Sequence, residues 1–348
     1  MDGQTQIEAF APAPMESARV ADEPAGPAVR VPLKELEDGQ RVRGVYAVRG
    51  RELRRKRNGE PWLRLEVGDA SGSAEAVCWE DAEALYAVCG SGSAVHVSGV
   101  FEISERWGAK IKISALRAAE PDEFSAEELA AASDVNADEL EAQLRGLLDE
   151  AIADTHLRQL LDYFFGELSP TWHRFRDAPA AKVYHQAYRH GLLEHSLSVA
   201  QAVNAAAGFF PGIDREVAVA GALLHDIGKT VAYNDDPLAI DLTDAGRLEG
   251  EIPLGYYAVR RQIEEIPGFD PGLARCILHI ILSHHGSLEH GSPVVPSTRE
   301  AVLVHMIDNL GGRLGSFDRL ERQLPEGEAW SGFDRALSGA AFFSQRAA

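Results

Sequence analysis

Cysteine is scarce in this chain. Only three of its 348 residues are cysteines, Cys78, Cys89 and Cys276, and no two of them form a Cys-x-x-Cys pair. An odd number of scattered thiols argues against a disulfide framework and against a thiolate zinc site. We therefore expect a reducing compartment, the cytoplasm, and metal ligands other than cysteine.

Targeting signals and long apolar runs are also missing. The first thirty residues contain neither the basic segment nor the apolar core of a secretory signal. The apolar run from Val217 to Leu224 is far too short to span a membrane, so no membrane partner is expected. Because residues 1–30 are rich in Ala and Pro and poor in large apolar side chains, they are predicted to form a disordered tail.

The chain has fewer basic than acidic residues, and the excess of acidic residues is distributed unevenly along the sequence. The formal net charge is −20. Residues 120–150 contain eleven acidic residues and one basic residue, whereas residues 31–117 contain fourteen basic and thirteen acidic residues. Of the twelve histidines, only His96 precedes residue 156. The change in charge and the change in histidine content thus fall in the same region of the chain. The part before this region does not share the excess of acidic residues.

Apolar residues alternate with a period of two between residues 41 and 117, as in Leu63, Leu65 and Val67. A short helical pattern that ends at Gly90 interrupts this alternation. Five strands with a helix between the third and fourth predict an OB-fold barrel over residues 31–118. The strands are predicted near residues 41–50, 62–68, 73–79, 94–104 and 109–116.

Two loops of this predicted barrel, between strands 1 and 2 and between strands 4 and 5, are basic. In OB-folds these loops hold single-stranded nucleic acid. The alternative is that the basic hairpin is only a solvated loop and that Trp62 packs on the barrel. Because both basic loops coincide with ligand-binding positions, single-stranded RNA or DNA is the expected partner. The candidate binding residues are Arg54, Arg55, Lys56, Arg57, Trp62, Trp107 and Lys110.

The remaining chain has helical periodicity, and no strand pattern recurs after about residue 170. We expect an acidic helical linker over residues 119–165, an all-α domain over 166–325 and a C-terminal tail over 326–348. The predicted fold class is therefore multidomain α+β, with a five-stranded OB-fold barrel followed by an all-α domain. Homo-oligomerisation is left open.

Imidazoles and carboxylates accompany four of the predicted helices. Taken singly, each has a structural explanation: the His225-Asp226 pair can cap a helix or form an ion pair, and His195 can be a hydrogen-bonded core histidine. However, Asp308 lies in an apolar run, and a buried carboxylate needs a partner. Neutral imidazoles and carboxylates together suit a divalent transition metal. The candidate ligands are His195, His225, Asp226, His284, His285 and Asp308.

The order of these residues resembles the HD phosphohydrolase superfamily. The chain resembles most closely the YhaM-type 3′→5′ exoribonucleases, which join an N-terminal OB-fold to an HD domain. The resemblance covers about residues 31–340. The matching segments are "RRKRNGEPWLRLEVGDASGSAEAVCW", "AAKVYHQAYRHGLLEHSLSV", "LLHDIGK", "LSHHGSLEHGSP" and "VHMIDNL".

This resemblance implies that the six candidate ligands bind metal, that Lys229 faces the scissile phosphate and that His185 lies near the substrate. The chain departs from the family at three positions. At one of them His190 stands where a glycine is usual; we interpret it as an exposed residue at a helix start, with a substrate contact as the alternative. Glu251 replaces a histidine ligand of the second metal, and Arg313 keeps a positive charge where a neighbouring acid is lost. A glutamate can bind Mn²⁺, Fe²⁺ or Mg²⁺, so one or two ions are expected. The alternative is that Glu251 is a surface residue and the second ion is lost.

Residues and resemblance together predict a metal-dependent 3′→5′ exonuclease that degrades single-stranded RNA, and also DNA, to 5′-mononucleotides. The expected cofactor is Mn²⁺, with Fe²⁺, Co²⁺ or Mg²⁺ as alternatives. The residues expected to act on the phosphate are Asp226, Lys229, His185 and Arg313. Two other functions stay open: a nucleotide or cyclic-nucleotide phosphohydrolase, and a single-strand-binding protein whose HD domain has lost activity.

Overall fold

The computed structural model describes residues 31–344, apart from residues 105–107, 131–135, 183–185, 237, 323, 325–326 and 335–336. The predicted tail over residues 1–30 and two candidate site residues, Trp107 and His185, lie outside the described residues. Within the described part, a β-barrel precedes a set of helices.

The N-terminal strands close into a barrel with the order β1-β2-β3-β5-β4. Neighbouring strands are antiparallel except β3 and β5, which run parallel. Helix α1 (Ala82–Val88) connects β3 to β4, so the OB-fold prediction is confirmed. The strands are β1 (Arg41–Arg55), β2 (Pro61–Asp69), β3 (Gly72–Cys78), β4 (Ala94–Ser104) and β5 (Gly108–Ala118).

Strand β1 is longer than the sequence predicts. Arg54 and Arg55 were expected in a loop, and this expectation is wrong, because β1 continues to Arg55. Leu53 pairs with Leu63 and Arg54 pairs with Trp62, so the pairing of β1 with β2 continues through the charged residues 51–55. Residues 51–55 show no strand pattern in the sequence, because four of them are charged and Leu53 is the only large apolar one. Only residues 56–60 remain as the connecting turn.

The barrel interior follows the alternation of β2. Leu63, Leu65 and Val67 are buried, and they pack with the fully buried Tyr46 of β1. The intervening side chains of β2 face outward, among them Trp62 and Arg64. This outer face, between β1 and β3, is therefore the one that carries the exposed cations and aromatic rings.

Eleven α-helices follow within the described part of the chain, none of them long and apolar enough to cross a lipid bilayer. Asn136, Asp154, Asp214 and Asp270 each accept a backbone N–H at the start of a helix. The helices are α2 (Ala126–Leu129), α3 (Ala137–Ala151), α4 (Thr155–Phe165), α5 (Trp172–Asp177), α6 (Gly191–Ala207), α7 (Arg215–Leu224), α8 (Lys229–Ala232), α9 (Asp244–Leu248), α10 (Glu251–Glu265), α11 (Pro271–Ser283) and α12 (Arg299–Arg322).

Helix α7 lies at the centre of the helical part. Every residue from Val217 to Leu224 is buried, and the helix packs against α6, α11 and α12. The leucines of α3 and α4, such as Leu148 and Leu160, belong to the same hydrophobic core. Because α7 is central, the residues at its C-terminal end lie inside the domain rather than at its surface.

The barrel and the helices are in contact through the loop between α8 and α9. Leu238 of this loop packs on Val45, Ala47 and Ala94 of the barrel. Gly92 of the barrel lies close to the same loop, since a Cβ atom there would be 2.2 Å from the Asp236 carboxylate. The strand-bearing part is thus packed against the helical part.

The buried face of α4 generates a stability prediction. We expect Leu160→Ala to lower the free energy of unfolding by about 2–5 kcal/mol, because Leu160 is fully buried in the helical core. The matched control is Leu168→Ala, since Leu168 is 99% exposed. Its effect should stay within about 0.5 kcal/mol. Urea denaturation measures both, and equal losses in the two variants would contradict the described packing.

Candidate metal centre

Four helices bring the candidate ligands together. His195 lies in the second turn of α6, and His225 and Asp226 follow directly after α7. His284 and His285 follow α11, and Asp308 lies on α12. The side chains of His195, His225, Asp226 and His284 are almost completely buried. The packing of the helices therefore brings together ligands from different helices, which are 23 to 113 residues apart in the sequence.

Four ligand atoms form a tight group, which we call the first cluster: His195 Nε2, His225 Nε2, Asp226 Oδ2 and Asp308 Oδ1. His195 Nε2 lies 3.2 Å from His225 Nε2, 3.4 Å from Asp226 Oδ2 and 3.1 Å from Asp308 Oδ1. Ligand atoms that each lie about 2.1 Å from one ion are about 3.0–3.4 Å apart, depending on the coordination geometry. The first cluster therefore has the dimensions of a metal-binding site.

A second group of atoms lies on the other side of the Asp226 carboxylate. Asp226 Oδ1 faces His284 Nε2 at 3.4 Å, and His285 Nε2 lies 3.7 Å from Glu251 Oε1. Both Asp226 Oδ1 and His284 Nε2 are buried without a hydrogen-bond partner among the described residues. Buried polar atoms are rarely left unpaired, and a cation would satisfy both. These oxygen and nitrogen atoms therefore suit the coordination of a divalent metal.

The ends of two helices orient the imidazoles. His225 Nδ1 donates to the carbonyl of Ala222 at 2.6 Å, and His284 Nδ1 donates to the carbonyl of Ile281 at 2.8 Å. Carbonyls in the last turn of a helix have no intrahelical partner and are free to accept these bonds. With Nδ1 protonated, each Nε2 presents its lone pair to the cluster, as a metal ligand must.

Opposite charges at the centre keep its buried side chains ionised. Burial alone would raise the pKa of Asp226, but Lys229 and His225 outweigh it and hold that pKa well below its usual value. Burial would lower the pKa of Lys229, and Asp226 raises it instead, through a 2.6 Å contact. Burial would likewise raise the pKa of Asp308, and the neighbouring His195 and His225 lower it instead. Both carboxylates are therefore ionised at neutral pH and available to a cation.

Glu251 reaches the centre because two glycines allow a close approach. A Cβ atom on Gly228 would lie 1.9 Å from the carbonyl oxygen of Glu251 and 2.6 Å from the backbone nitrogen of Gly255. Glu251 is the first residue of α10, and Gly250 before it has a φ of +82°. Gly228, two residues after Asp226, is thus required for the close packing of α10.

Arg313 lies exposed on α12, five residues beyond Asp308. Its role in the reaction stays a prediction. The same holds for the role of Lys229, whose ammonium bonds the Asp226 carboxylate. His305, which sequence reasoning missed, donates Nδ1–H to the carbonyl of His284 at 2.7 Å and so ties α12 to the end of α11.

The outer face of the barrel carries a second group of candidate residues. Trp62 stacks on Trp79, with ring centroids 4.8 Å apart, and Arg54 lies over Trp62 while Lys56 lies over Trp79. Trp79 is 43% exposed and directly follows β3. Sequence reasoning missed it, although its position beside Trp62 on the neighbouring strand was a usable signal. Of the other predicted cations, Arg55 ends β1, Arg57 lies in the turn and Lys110 lies on β5.

Comparisons with known proteins agree with this architecture. Residues 192–312 match the family model described as "HD domain". The chain is 29% identical over 297 residues to a Listeria innocua protein named 3′-5′ exoribonuclease YhaM, covering 85% of this chain and 93% of that protein. It is 29% identical to the protein of the same name from Bacillus subtilis, covering 78% and 84%. The resemblance predicted from the sequence motifs is confirmed.

Solved structures that are similar to this chain cover its barrel. One is the second OB-fold domain of replication protein A from Methanococcus maripaludis, with 16% identity, 26% of this chain and 96% of that chain covered, and a TM-score of 0.22. Another is the single-stranded DNA-binding domain of a Synechococcus protein, with 15% identity, 23% and 94% covered, and a TM-score of 0.20.

The contact between Gly228 and α10 generates a prediction. Gly228→Ala should lower the free energy of unfolding by about 1–3 kcal/mol, because its methyl group would overlap backbone atoms of α10. As a control, Gly146→Ala in α3 has no atom within 4 Å of the new methyl group and should stabilise the protein by about 0.5–1 kcal/mol. Thermal unfolding distinguishes the two. A neutral or stabilising Gly228→Ala would contradict the close packing.

Proposed function

We propose that this protein is a metal-dependent 3′→5′ exonuclease that hydrolyses single-stranded RNA, and also single-stranded DNA, to 5′-mononucleotides. The observation that carries the proposal is the convergence of the first cluster with the unpaired atoms of Asp226 and His284. This centre lies in a chain that also has an OB-fold barrel. The relatives named 3′-5′ exoribonuclease YhaM support the direction of degradation.

The metal would be held by two sets of side chains that share Asp226. The first cluster would hold one ion, and Asp226 Oδ1, His284, His285 and Glu251 would hold a second. Divalent ions supply positive charge to the phosphate and make water a better nucleophile at neutral pH. We propose Mn²⁺ as the physiological ion, with Fe²⁺, Co²⁺ and Mg²⁺ as alternatives, because imidazoles and carboxylates are mixed in the centre.

Hydrolysis at this centre would break the last phosphodiester of the strand. Water attacks phosphorus, the bond from phosphorus to the 3′-oxygen of the penultimate nucleotide breaks, and that oxygen takes up a proton. The phosphate stays on the 5′-oxygen of the released nucleotide. Lys229 keeps its proton beside Asp226, so it adds fixed positive charge where negative charge develops. We assign His185 and Arg313 to substrate contacts on the basis of the resemblance.

The barrel would hold the strand while its 3′ end reaches the metal centre. Cations attract the phosphates, and flat aromatic rings stack with bases irrespective of sequence. Arg54, Lys56, Trp62 and Trp79 combine both properties on one outer face. Arg55, Arg57, Lys110 and Trp107 complete the proposed nucleic-acid-binding set.

The cytoplasm is the proposed location of this activity. Cys78, Cys89 and Cys276 are all free thiols, which suits a reducing compartment.

The domain boundaries at residues 30, 118, 165 and 325 also remain part of the proposal. Association into a homo-oligomer stays a prediction to be checked by light scattering.

The proposed activity is tested with oligonucleotides labelled at either end. We expect Mn²⁺ to produce a ladder that shortens from the 3′ end and releases 5′-mononucleotides, and EDTA to abolish it. Asp226→Asn should lower the rate by at least about 100-fold, because one carboxylate is shared by both ion positions. Asp244→Asn, on the short helix α9, is the control and should retain the rate. An intact but shifted strand would indicate a binding protein, and turnover of free nucleotides alone would indicate a nucleotide phosphohydrolase.

The role of the barrel is tested separately by binding in EDTA, where no cleavage occurs. Trp79→Ala should weaken the binding of a labelled single-stranded oligonucleotide by about 5- to 150-fold, because base–aromatic stacking contributes about 1–3 kcal/mol per base. Trp330→Ala is the matched control, since Trp330 is 59% exposed and lies near the C-terminus. Fluorescence anisotropy measures both affinities. Equal affinities for the two variants would place the strand elsewhere.

A further inference from the structure

One histidine of the first cluster is oriented differently from the others. His225 and His284 donate Nδ1–H to carbonyls at the ends of their own helices. His195 lies within α6, where the carbonyls of the preceding turn are already bonded along the helix. Its Nδ1 lies instead 3.1 Å from the side-chain oxygen Oε1 of Gln186. Because this oxygen only accepts hydrogen bonds, it fixes the proton on Nδ1 and leaves the Nε2 lone pair for the cluster.

The backbone holds Gln186 in an unusual conformation beside His195. Its φ is +60°, in the left-handed region that side-chain-bearing residues rarely adopt. Its carbonyl accepts the N–H of Ala180 at 3.1 Å and lies so close to Gly191 that a Cβ atom there would be 2.0 Å away. Gly191 and His195 are four residues apart on one face of α6. Packing on Gly191 therefore places the Gln186 side chain within hydrogen-bond distance of His195 Nδ1.

We propose that Gln186 is a positioning residue for the metal centre, which holds the His195 ring with Nε2 directed at Asp226, His225 and Asp308. A left-handed residue costs conformational energy, and such strain persists where the surroundings impose it, often at functional sites. Partners of metal-binding histidines typically contribute about 10–100-fold to metal affinity. The inference rests on the proposed function, because it presupposes that the cluster binds a divalent ion.

Substitutions at position 186 separate positioning from folding. Gln186→Gly removes the amide and also relieves the left-handed backbone, so the metal-free protein should melt at the wild-type temperature or above. Gln186→Asn tolerates the same backbone but is one methylene too short to reach His195. Gln186→Glu keeps the acceptor. His190→Gly is the matched control, since His190 also has a positive φ, of +70°, in the same loop, and its ring bonds the carbonyl of Arg176.

The measurement is calorimetric titration of the metal-free full-length protein with Mn²⁺, combined with its melting temperature. The His195 site is identified as the binding step that His195→Ala loses. We expect Gln186→Gly and Gln186→Asn to weaken this step by about 10–100-fold, and Gln186→Glu and His190→Gly to stay within about threefold of the wild type.

Two results would overturn the inference alone: wild-type affinity in Gln186→Gly, or an equal loss in Gln186→Glu. A wild-type protein that binds no Mn²⁺ would instead overturn the proposed function together with this inference. Because binding is measured without substrate, the two failures are distinguishable.

Discussion

The arrangement of the candidate metal centre depends on one buried carboxylate, that of Asp226. It is almost inaccessible to solvent, yet it stays ionised because Lys229 and His225 surround it. One oxygen belongs to the first cluster, and the other faces His284 without a hydrogen bond among the described side chains. A buried charge that is only partly paired is costly, and a bound cation would offset this cost. The fold therefore maintains an arrangement that a helical core would otherwise avoid.

Ordinary features of helices provide the precision of this arrangement. Helices α7 and α11 both end at the centre, and their free carbonyls orient His225 and His284. Where no helix end is available, at His195, a side chain from a strained loop takes the same role. Gly228 then lets α10 bring Glu251 to the second group of ligands. The candidate ligands are thus spread over the chain, and His195, His225, His284 and Glu251 are each positioned by a local contact.

Much of this could be predicted from the sequence, because period-two alternation and helical periodicity follow directly from burial. The five strands were predicted in this way. The convergence of His195, His225, Asp226 and Asp308 was predicted from their residue types on four helices and from the family resemblance. The extension of β1 was not, since its charged residues resemble a loop until the pairing partner is known. Trp79 and Gln186 were also missed. Their roles depend on neighbours that packing brings together, a stacked ring in one case and an imidazole nine residues away in the other.

The central claim is that this centre binds metal, and crystallography with Mn²⁺ tests it most directly. Anomalous diffraction at the manganese edge should give a peak about 2.0–2.3 Å from His195 Nε2, His225 Nε2 and the carboxylates of Asp226 and Asp308. A second peak beside His284, His285 and Glu251 would establish that the glutamate serves a second ion. Anomalous density only elsewhere in the molecule, with the first cluster empty at saturating Mn²⁺, would contradict the account.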